Sequence, residues 1–203
     1  VSAVTDTDAT SNEIAENATN GSTVGITAQA SDADATQSTV TYSLSNDAGG
    51  RFAIDASTGV VTVADGSLLD REAAASHNIT VRADSADGSS NTQVFTINLL
   101  DVNESDVGAV TDGNAAANTV LENATNGSTV GLTAQASDAD ATQSTITYSL
   151  GNDAGGRFAI DASTGALRFL SAPDHEAPGD ADGDNVYEVQ VAVSDGPCSW
   201  PCS

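Results

Sequence analysis

Apolar and polar residues alternate along six short segments in the first half of the chain. A period of two is typical of a β-strand that buries one face and exposes the other. Between these segments stand turn-forming pairs such as Asn20-Gly21 and Asp87-Gly88. A helical period is absent except for one turn near residues 67–75. The pattern predicts β-strands around residues 24–30, 40–44, 52–54, 61–63, 79–83 and 95–99.

The chain is a tandem duplication. Residues 16–59 and 122–165 align without a gap at an offset of 106 positions, and three of the 44 aligned positions differ. About seven short strands in about 100 residues are typical of an antiparallel β-sandwich. The predicted fold class is therefore all-β, with two tandem antiparallel Greek-key β-sandwiches over residues 1–103 and 104–203.

The second copy departs from the first after Gly165. It carries a six-residue insertion at 180–185 and has no counterpart of the last apolar segment, 95–99. The tail at 197–203 contains two prolines, which cannot donate to a strand ladder. We therefore predict that the second sandwich lacks its last strand. Its edge at 189–193 would then be open to self-association, or the second copy would be less stable than the first.

The charge of the chain excludes several classes of function. The sequence has 5 Lys and Arg residues against 29 Asp and Glu residues, which gives a formal net charge of −24. Binding to nucleic acid or to an anionic membrane starts from a basic surface, so neither partner is expected.

Catalytic chemistry has few candidates in this sequence. The second copy has Tyr187 where the first has His77, so we expect a packing role for this histidine. A glycosidase could use the many carboxylates, but it also needs aromatic sugar platforms, and aromatic residues make up 4% of the chain. We predict that the protein is not an enzyme.

Acidic residues gather where the predicted strands end. One pole of the first sandwich receives Glu16, Asp70, Glu72 and the connector 101–106. The facing pole of the second sandwich receives Asp138, Asp140 and Asp195. Like charges about 4–6 Å apart repel by several kcal/mol in a partly wet site, so they either splay into water or bind cations. We expect Ca²⁺, which takes about 6–8 oxygen ligands in a more flexible geometry than Mg²⁺ accepts.

The insertion in the second copy is a separate candidate calcium site. Asp180, Asp182 and Asp184 alternate as in the first half of an EF-hand loop, but Val191 stands where that loop has its glutamate. Asp174 and Glu176 are near in sequence and could complete the site. The alternative is a solvated loop rich in aspartate.

The first copy also carries a series of short motifs in a fixed order. They are Glu16-Asn17, Asp32-Ala33-Asp34, residues 40–44, residues 52–55, Ser57-Thr58-Gly59, residues 69–72, residues 77–83 and residues 101–104. In this order and spacing the sequence resembles tandem cadherin repeats, in the form found in large bacterial surface proteins and adhesins.

The resemblance implies a calcium cluster of up to three ions between the repeats. The ligands that it implies are Glu16, Asp70 and Glu72 from the first copy, the Val102 carbonyl, Asn103 and Glu104 from the connector, and Asp138, Asp140 and Asp195 from the second copy. The family connector reads Asp-x-Asn-Asp-Asn, whereas Glu104 and Ser105 fill its last two positions here. The acidic pole around Asp32 and Asp34 has no connector above it, so we expect it to be empty or weakly occupied.

These features together predict a calcium-binding tandem repeat segment of an extracellular adhesin or rigid surface spacer. The expected partners are calcium ions, neighbouring repeats of the same polypeptide, and a cell-surface protein or glycan. The expected location is outside the cell or on the surface of a bacterium. The alternative is a carbohydrate- or protein-binding accessory module of a secreted enzyme, which would require an exposed aromatic patch; Trp200 is the one candidate for it.

Overall fold

The computed structural model describes residues 1–34, 38–140, 142, 144–171, 173–180 and 182–196. It divides into two compact units, Val1–Val102 and Asn103–Ser203. No helix among the described residues is long and apolar enough to cross a membrane. The tail at 197–203, which holds Cys198, Trp200 and Cys202, lies outside the described residues.

Among its described residues, unit 1 contains eight strands and one short 3-10 turn at Gly66–Leu68. The strands are β1 (Thr5–Asp6), β2 (Glu13–Ala15), β3 (Thr23–Gln29), β4 (Val40–Asn46), β5 (Phe52–Ile54), β6 (Val60–Val63), β7 (Ser76–Ser85) and β8 (Ser90–Leu100). One sheet has the order β1-β3-β6-β5 and the other has the order β2-β8-β7-β4. Six of the eight strands are those that the alternation predicts.

The two sheets of unit 1 enclose one hydrophobic core. One sheet contributes side chains such as Val24, Ile26 and Val61, and the other contributes Ile79 and Ile97; none of these is more than 1% exposed. Because these residues occupy alternate positions along their strands, each strand buries one face. Unit 1 is thus the predicted β-sandwich.

Unit 2 contains six strands among its described residues. They are β9 (Thr111–Asp112), β10 (Thr129–Gln135), β11 (Thr147–Asn152), β12 (Phe158–Ile160), β13 (Ala166–Phe169) and β14 (Gln190–Ser194). One sheet has the order β12-β13-β10-β9, and the other contains β11 and β14. The described residues that follow β14 form no further strand. The all-β fold class is confirmed for this unit, and the absence of its last strand stays a prediction.

One pairing in unit 1 differs from the predicted antiparallel pattern. Strand β2 pairs parallel with β8, with Glu13 opposite Asn98 and Ala15 opposite Leu100. The sequence does not predict β2, because a three-residue strand with Ile14 as its large apolar residue has no alternation to detect.

A glycine at the same place in each copy permits a bulge in the long inner strand. Gly25 has φ of 75° in β3, and the strand register shifts between Thr23 and Thr27. A Cβ atom at Gly25 would lie 2.2 Å from the Ser11 carbonyl oxygen. Gly131 repeats this arrangement in β10 with φ of 86°. A glycine is required at both positions, because a side chain would strain the backbone and collide with the neighbouring chain.

His77 and Tyr187 pack at equivalent places in the two units. The His77 ring lies 6.3 Å from the Phe52 ring, and the Tyr187 ring lies 5.9 Å from the Phe158 ring. The Arg157 guanidinium lies over Tyr187 at 5.6 Å. These contacts support a packing role for His77.

The unfolding free energy should fall as pH decreases below the ordinary His pKa of 6.5, and His77→Phe should remove this dependence. Burial and the nearby Arg51 charge lower the pKa of His77. Its Nε2 is buried and has no hydrogen-bond partner among the described residues. The unfolded chain therefore binds a proton at a higher pH than the folded chain, which destabilises the fold once His77 must protonate. Urea unfolding of both proteins at about pH 7.5 and about pH 5.5 measures the effect. An equal loss of stability in the variant would contradict it.

Candidate metal centres

Acidic side chains form five clusters within the part of the chain that the structure describes. In each cluster, one carboxylate oxygen of every member lies within 4.8 Å of the others. We name them the unit 1 base cluster (Glu16, Glu72, Asp101), the unit 1 tip cluster (Asp32, Asp34, Asp87), the unit 2 base cluster (Glu122, Asp174, Glu176), the unit 2 tip cluster (Asp138, Asp140, Asp195) and the insertion cluster (Asp180, Asp182, Asp184). Each cluster draws its residues from a single unit.

The base cluster and the tip cluster of a unit lie at opposite ends of its strands. In unit 1, Glu72 precedes β7 and Asp87 follows it. Glu16 likewise precedes β3, and Asp32 follows it. Since the residues before and after a strand lie at its two ends, the two clusters occupy opposite ends of the sandwich.

Two backbone hydrogen bonds hold the Glu16 side chain in the unit 1 base cluster. Its side chain is buried, with 5% of its surface exposed. Its Oε1 accepts a hydrogen bond from the Val102 N–H at 2.9 Å, and its Oε2 accepts one from the Arg71 N–H. Each carboxylate oxygen has a further lone pair that a cation can use. Glu16 therefore holds the chain after β8 against the segment before β7 and keeps its charge beside Glu72 and Asp101.

The unit 2 base cluster repeats one of the two hydrogen bonds that Glu16 accepts. Glu122 Oε2 accepts a hydrogen bond from the His175 N–H at 3.1 Å, just as Glu16 does from Arg71. The described residues of unit 2 supply no counterpart of the Val102 N–H. Glu122 is accordingly exposed. This cluster is less constrained than its counterpart in unit 1.

Hydroxyl groups partly satisfy the unit 1 tip cluster. The Ser85 hydroxyl is the main cause of a lowered pKa of Asp32, and the Ser89 hydroxyl donates to Asp32 Oδ2 at 3.3 Å. A hydrogen bond with the Asp87 carboxyl group and the charge of Asp32 raise the pKa of Asp34. The carboxylates of this cluster therefore repel one another, and hydrogen bonds from Ser85 and Ser89 to Asp32 offset part of the repulsion.

The unit 2 tip cluster has no such compensation. Asp140 is 4% exposed, and one of its oxygens, Oδ1, accepts from the Ser105 N–H at 3.2 Å. The Oδ2 atoms of Asp138, Asp140 and Asp195 are buried and accept no hydrogen bond from the described residues. An unsatisfied buried polar group costs about 1–3 kcal/mol, and a charged one costs more. A bound cation would remove this cost.

The pKa of Asp138 reports this uncompensated charge. The largest single influence on this pKa is the hydrogen bond that the Asp140 N–H donates to Asp138 Oδ1 at 2.9 Å. This bond lowers the pKa of Asp138. Burial and the carboxylates of Asp195 and Asp140 act in the opposite direction and raise the pKa above its ordinary value. The protein alone thus disfavours full ionisation of the cluster, which a bound cation would restore.

Asn103 is a further oxygen donor without a partner. It is 2% exposed, and its Oδ1 finds no donor among the described residues. The deep burial of an amide with an unused acceptor is unusual. An amide oxygen is also an ordinary calcium ligand.

The insertion cluster is shaped by its own backbone. Asp180 Oδ2 accepts hydrogen bonds from the N–H groups of Asp184 at 2.7 Å and Asn185 at 3.1 Å. Its Oδ1 is buried without a partner among the described residues. The charge of Asp184 is the main cause of a raised pKa of Asp182. The loop therefore curls around its first aspartate and turns three carboxylates toward one another.

A family model for the cadherin domain matches residues 10–100. Residues 10–100 form a cadherin domain. The second unit repeats 44 positions of this domain with three differences, so it is a second copy of the same repeat.

Curated proteins that the chain resembles include animal cadherins. The chain is 32% identical over 165 residues to cadherin-related family member 1 of Xenopus laevis, which covers 77% of this chain and 18% of the relative. It is 35% identical over 182 residues to protocadherin Fat 4 of Homo sapiens, which covers 87% of this chain and 3% of the relative. The chain thus spans about a fifth or less of the curated relatives that it matches.

Solved cadherin structures share the fold. A crystal structure of mouse cadherin-23 EC22-24 aligns with a TM-score of 0.66 at 27% identity, over 90% of this chain and 62% of that one. Drosophila N-cadherin EC1-4 aligns with a TM-score of 0.67 at 25% identity, over 95% of this chain and 45% of that one.

The structure of these cadherin repeats distributes the predicted ligands unevenly. Glu16 and Glu72 meet, and Asp138, Asp140 and Asp195 meet. Asp70 is exposed and is not in the base cluster; its Oδ1 accepts from the Ala73 N–H at 2.7 Å. Asp174 and Glu176 join Glu122 rather than completing the insertion cluster. In the connector, Val102 uses its N–H toward Glu16, whereas Glu104 is exposed.

Five cluster members are absent from the predicted ligand set. They are Asp32, Asp34, Asp87, Asp101 and Glu122. Asp32 and Asp34 belong to the pole that the sequence predicts to be empty or weakly occupied. Glu122 is the aligned equivalent of Glu16, and Asp101 is the first residue after β8, so both could be found from the sequence. Asp87 is harder to find, because Ser85 stands at the position where the second repeat has Asp195.

Proposed function

We propose that the chain is a calcium-binding segment of tandem cadherin repeats from an extracellular adhesive or spacer protein. The observation that carries the proposal is the unit 2 tip cluster, in which three carboxylates converge with buried oxygens that lack hydrogen-bond donors. Cadherin domains typically bind Ca²⁺, and the matched family supports the same ligand.

The donor chemistry fits Ca²⁺ better than other common cations. The five clusters contain carboxylates and neither cysteine nor histidine, a set that favours hard cations. Aspartate pairs spaced two residues apart, with peptide and amide oxygens beside them, make irregular sites. Such sites suit the variable coordination of Ca²⁺ more than the octahedron that Mg²⁺ requires.

The clusters should differ in affinity. The unit 2 tip cluster holds buried oxygens without donors, whereas Ser85 and Ser89 already satisfy Asp32 in the unit 1 tip cluster. A cation gains more where it replaces an unsatisfied group than where it competes with hydrogen bonds. The unit 2 tip cluster is therefore the stronger of the two, and the unit 1 tip cluster is weakly occupied.

Calorimetric titration of the metal-free chain with Ca²⁺ tests this assignment. Asp138→Asn should abolish the tightest binding event, because it removes one of three charges from the unit 2 tip cluster. The matched variant Asp32→Asn changes the equivalent residue of unit 1 and should leave that event intact. Titration with Mg²⁺ should give markedly weaker binding. Equal effects of the two variants, or no calcium binding at all, would contradict the proposal.

The ligand set implied by the resemblance extends this proposal to the connector. It includes Asn103, whose buried amide oxygen supports it, together with the Val102 carbonyl and Glu104. Asp70 is retained as a ligand in the same prediction. The sharing of ions between neighbouring repeats stays a prediction as well.

The proposed biological role, an adhesive or spacer segment, is the one that the matched cadherin relatives support. The matched relatives are named as cadherins and protocadherins, and none is named as an enzyme. They give no support to the accessory-module alternative. A cell-surface protein or a glycan remains the proposed adhesive partner. The relatives named above are animal proteins, so a bacterial source stays a prediction from the resemblance of the motifs.

A further inference from the structure

The carboxylates of the unit 2 tip cluster come from two different sheets. Asp138 and Asp140 follow β10, whereas Asp195 directly follows β14. Strand β10 belongs to the four-stranded sheet of unit 2, and β14 pairs with β11 in the other sheet. One oxygen of each carboxylate nevertheless lies within 4.8 Å of the others. The geometry of the cluster therefore depends on contacts that join the two sheets at this end of the unit.

The Tyr148 side chain makes such a contact. Tyr148 lies in β11 and pairs with Val193, which stands two residues before Asp195. Its hydroxyl oxygen accepts a hydrogen bond from the Ala136 N–H at 3.2 Å. Ala136 is the first residue after β10 and stands two residues before Asp138. The phenol thus connects the strand pair that carries Asp195 to the start of the loop that carries Asp138.

The backbone of Tyr148 is itself held across the sandwich. Its N–H donates to the Ala162 carbonyl oxygen at 3.0 Å, and Ala162 lies between β12 and β13 of the opposite sheet. Strand β11 is also paired with β14 on both sides of Tyr148. Because the backbone is fixed and a tyrosine side chain has only two side-chain torsions, the hydroxyl group has little freedom to move. Tyr148 therefore sets the distance between the two segments.

The segment before β9 holds the same loop from another direction. The Gly108 N–H donates to the Ser137 carbonyl oxygen at 2.7 Å, and the Ser105 N–H donates to Asp140 Oδ1 at 3.2 Å. Ala136 and Ser137 are thus both hydrogen-bonded to other segments immediately before Asp138. The loop is ordered by the protein itself at the point where its first carboxylate stands.

We propose that Tyr148 is a positioning residue for calcium at the unit 2 tip cluster, an inference that rests on the function proposed above. The cluster contains a buried acceptor without a donor, since Asp140 is 4% exposed and its Oδ2 accepts no hydrogen bond from the described residues. Tyr148 acts through the loop rather than as a ligand. It holds the Asp138 loop near Asp195 before calcium binds, so less conformational freedom is lost on binding.

Unit 1 provides a matched tyrosine for comparison. The Tyr42 hydroxyl accepts from the Ala30 N–H at 3.0 Å, and the Tyr42 N–H donates to the Ala56 carbonyl oxygen at 3.0 Å. These bonds lie beside the unit 1 tip cluster, where serine hydroxyls already satisfy Asp32. The two tyrosines therefore make the same contacts next to sites of different affinity. An effect on stability should be shared by both, whereas an effect on the tightest calcium binding should belong to Tyr148.

The substitution Tyr148→Phe tests the proposal on the whole chain, because it removes the hydroxyl group and keeps the ring. In calorimetric titration, the Kd of the tightest calcium-binding event should rise about tenfold, as is typical for partners that orient metal ligands. Tyr42→Phe removes the equivalent hydroxyl group and should leave that Kd unchanged. Urea unfolding in chelator should show a similar loss of stability in both variants, so a structural effect alone cannot produce the difference in Kd.

A second measurement gives an answer on the wild-type chain without calcium. The Ala136 amide should already be protected against hydrogen exchange in the metal-free protein, because its bond to Tyr148 forms before calcium binds. Exchange measured by NMR reports this directly. In Tyr148→Phe, exchange at Ala136 should accelerate about tenfold, since the N–H loses its acceptor. Exchange at Ala30 of unit 1 should not change in this variant.

The possible outcomes separate this inference from the function on which it rests. Calcium binding by the wild type with an unchanged Kd in Tyr148→Phe would overturn the positioning role alone. An equal rise of the Kd in both tyrosine variants would overturn it as well. So would an Ala136 amide that is unprotected in the metal-free wild-type chain. Absence of calcium binding by the wild type would overturn both the positioning role and the proposed function.

Discussion

Calcium should raise the melting temperature of the metal-free chain by roughly 10–20 °C. A ligand at 100 times its Kd adds about 2.7 kcal/mol per site to the free energy of unfolding. A gain of 1 kcal/mol raises the melting temperature of a domain of this size by about 4–8 °C. The physical reason is the uncompensated charge of the clusters, above all the three carboxylates of the unit 2 tip cluster. Calorimetric melting in chelator and in excess Ca²⁺ measures the shift.

Ionic strength provides the control for this result. Sodium chloride also screens repulsion between carboxylates in a chain of net charge −24, so a part of any calcium effect could arise from screening. The same melt at matched ionic strength without Ca²⁺ should recover only a small part of the shift. A shift of equal size in sodium chloride would mean that the clusters hold no specific ion.

The strands of unit 2 should exchange their amide hydrogens at least roughly a hundredfold faster than the matching strands of unit 1. The comparison is between β14 and β7, and between β10 and β3. Burial of one large apolar side chain contributes about 1.5–3 kcal/mol, and unit 1 closes its core with Ile97 and Leu99 where unit 2 has a cavity. A difference of about 3 kcal/mol in the free energy of opening changes the protection of the amide hydrogens against exchange by roughly a hundredfold.

Mass spectrometry of exchange in dilute protein measures this contrast directly. For β10 and β3, the near-identity of residues 16–59 and 122–165 is a control within the chain, because intrinsic exchange rates are nearly the same in the two segments. Equal protection in a monomeric sample would contradict the expectation. It would mean that other residues of the chain cover the core of unit 2.

Alternation was sufficient to predict the long strands from sequence, because each buries one face. Strand β3 shows why, since Val24, Ile26 and Ala28 are all buried and the residues between them are less so. Strand β2 could not be predicted, because its parallel pairing depends on where β8 passes in three dimensions. The pattern of residues within β2 carries no information about a partner strand that is far away in the sequence.

The candidate metal centres were predictable where the ligands stand at strand ends. Asp138, Asp140 and Asp195 follow strands, so the sandwich topology alone brings them together. Asp174 and Glu176 meet Glu122 instead of the insertion, because the backbone of His175 is hydrogen-bonded to Glu122. That bond links residues 53 positions apart, and sequence proximity to Asp180 gives no hint of it.

The parallel pair of β2 and β8 has a mechanical consequence. Once the two-residue strand β1 has detached from β3, tension along an array pulls the chain away before Glu13 and after Leu100. These positions are the two outer ends of the parallel pair. Force applied there acts along the strands, so the hydrogen bonds of the pair are loaded together in shear rather than opened one after another. The described part of unit 2 has no such pair, and its β11 and β14 form a two-stranded sheet. Under load, the sheet formed by β11 and β14 would open before the four-stranded sheet of unit 1 that contains β2 and β8.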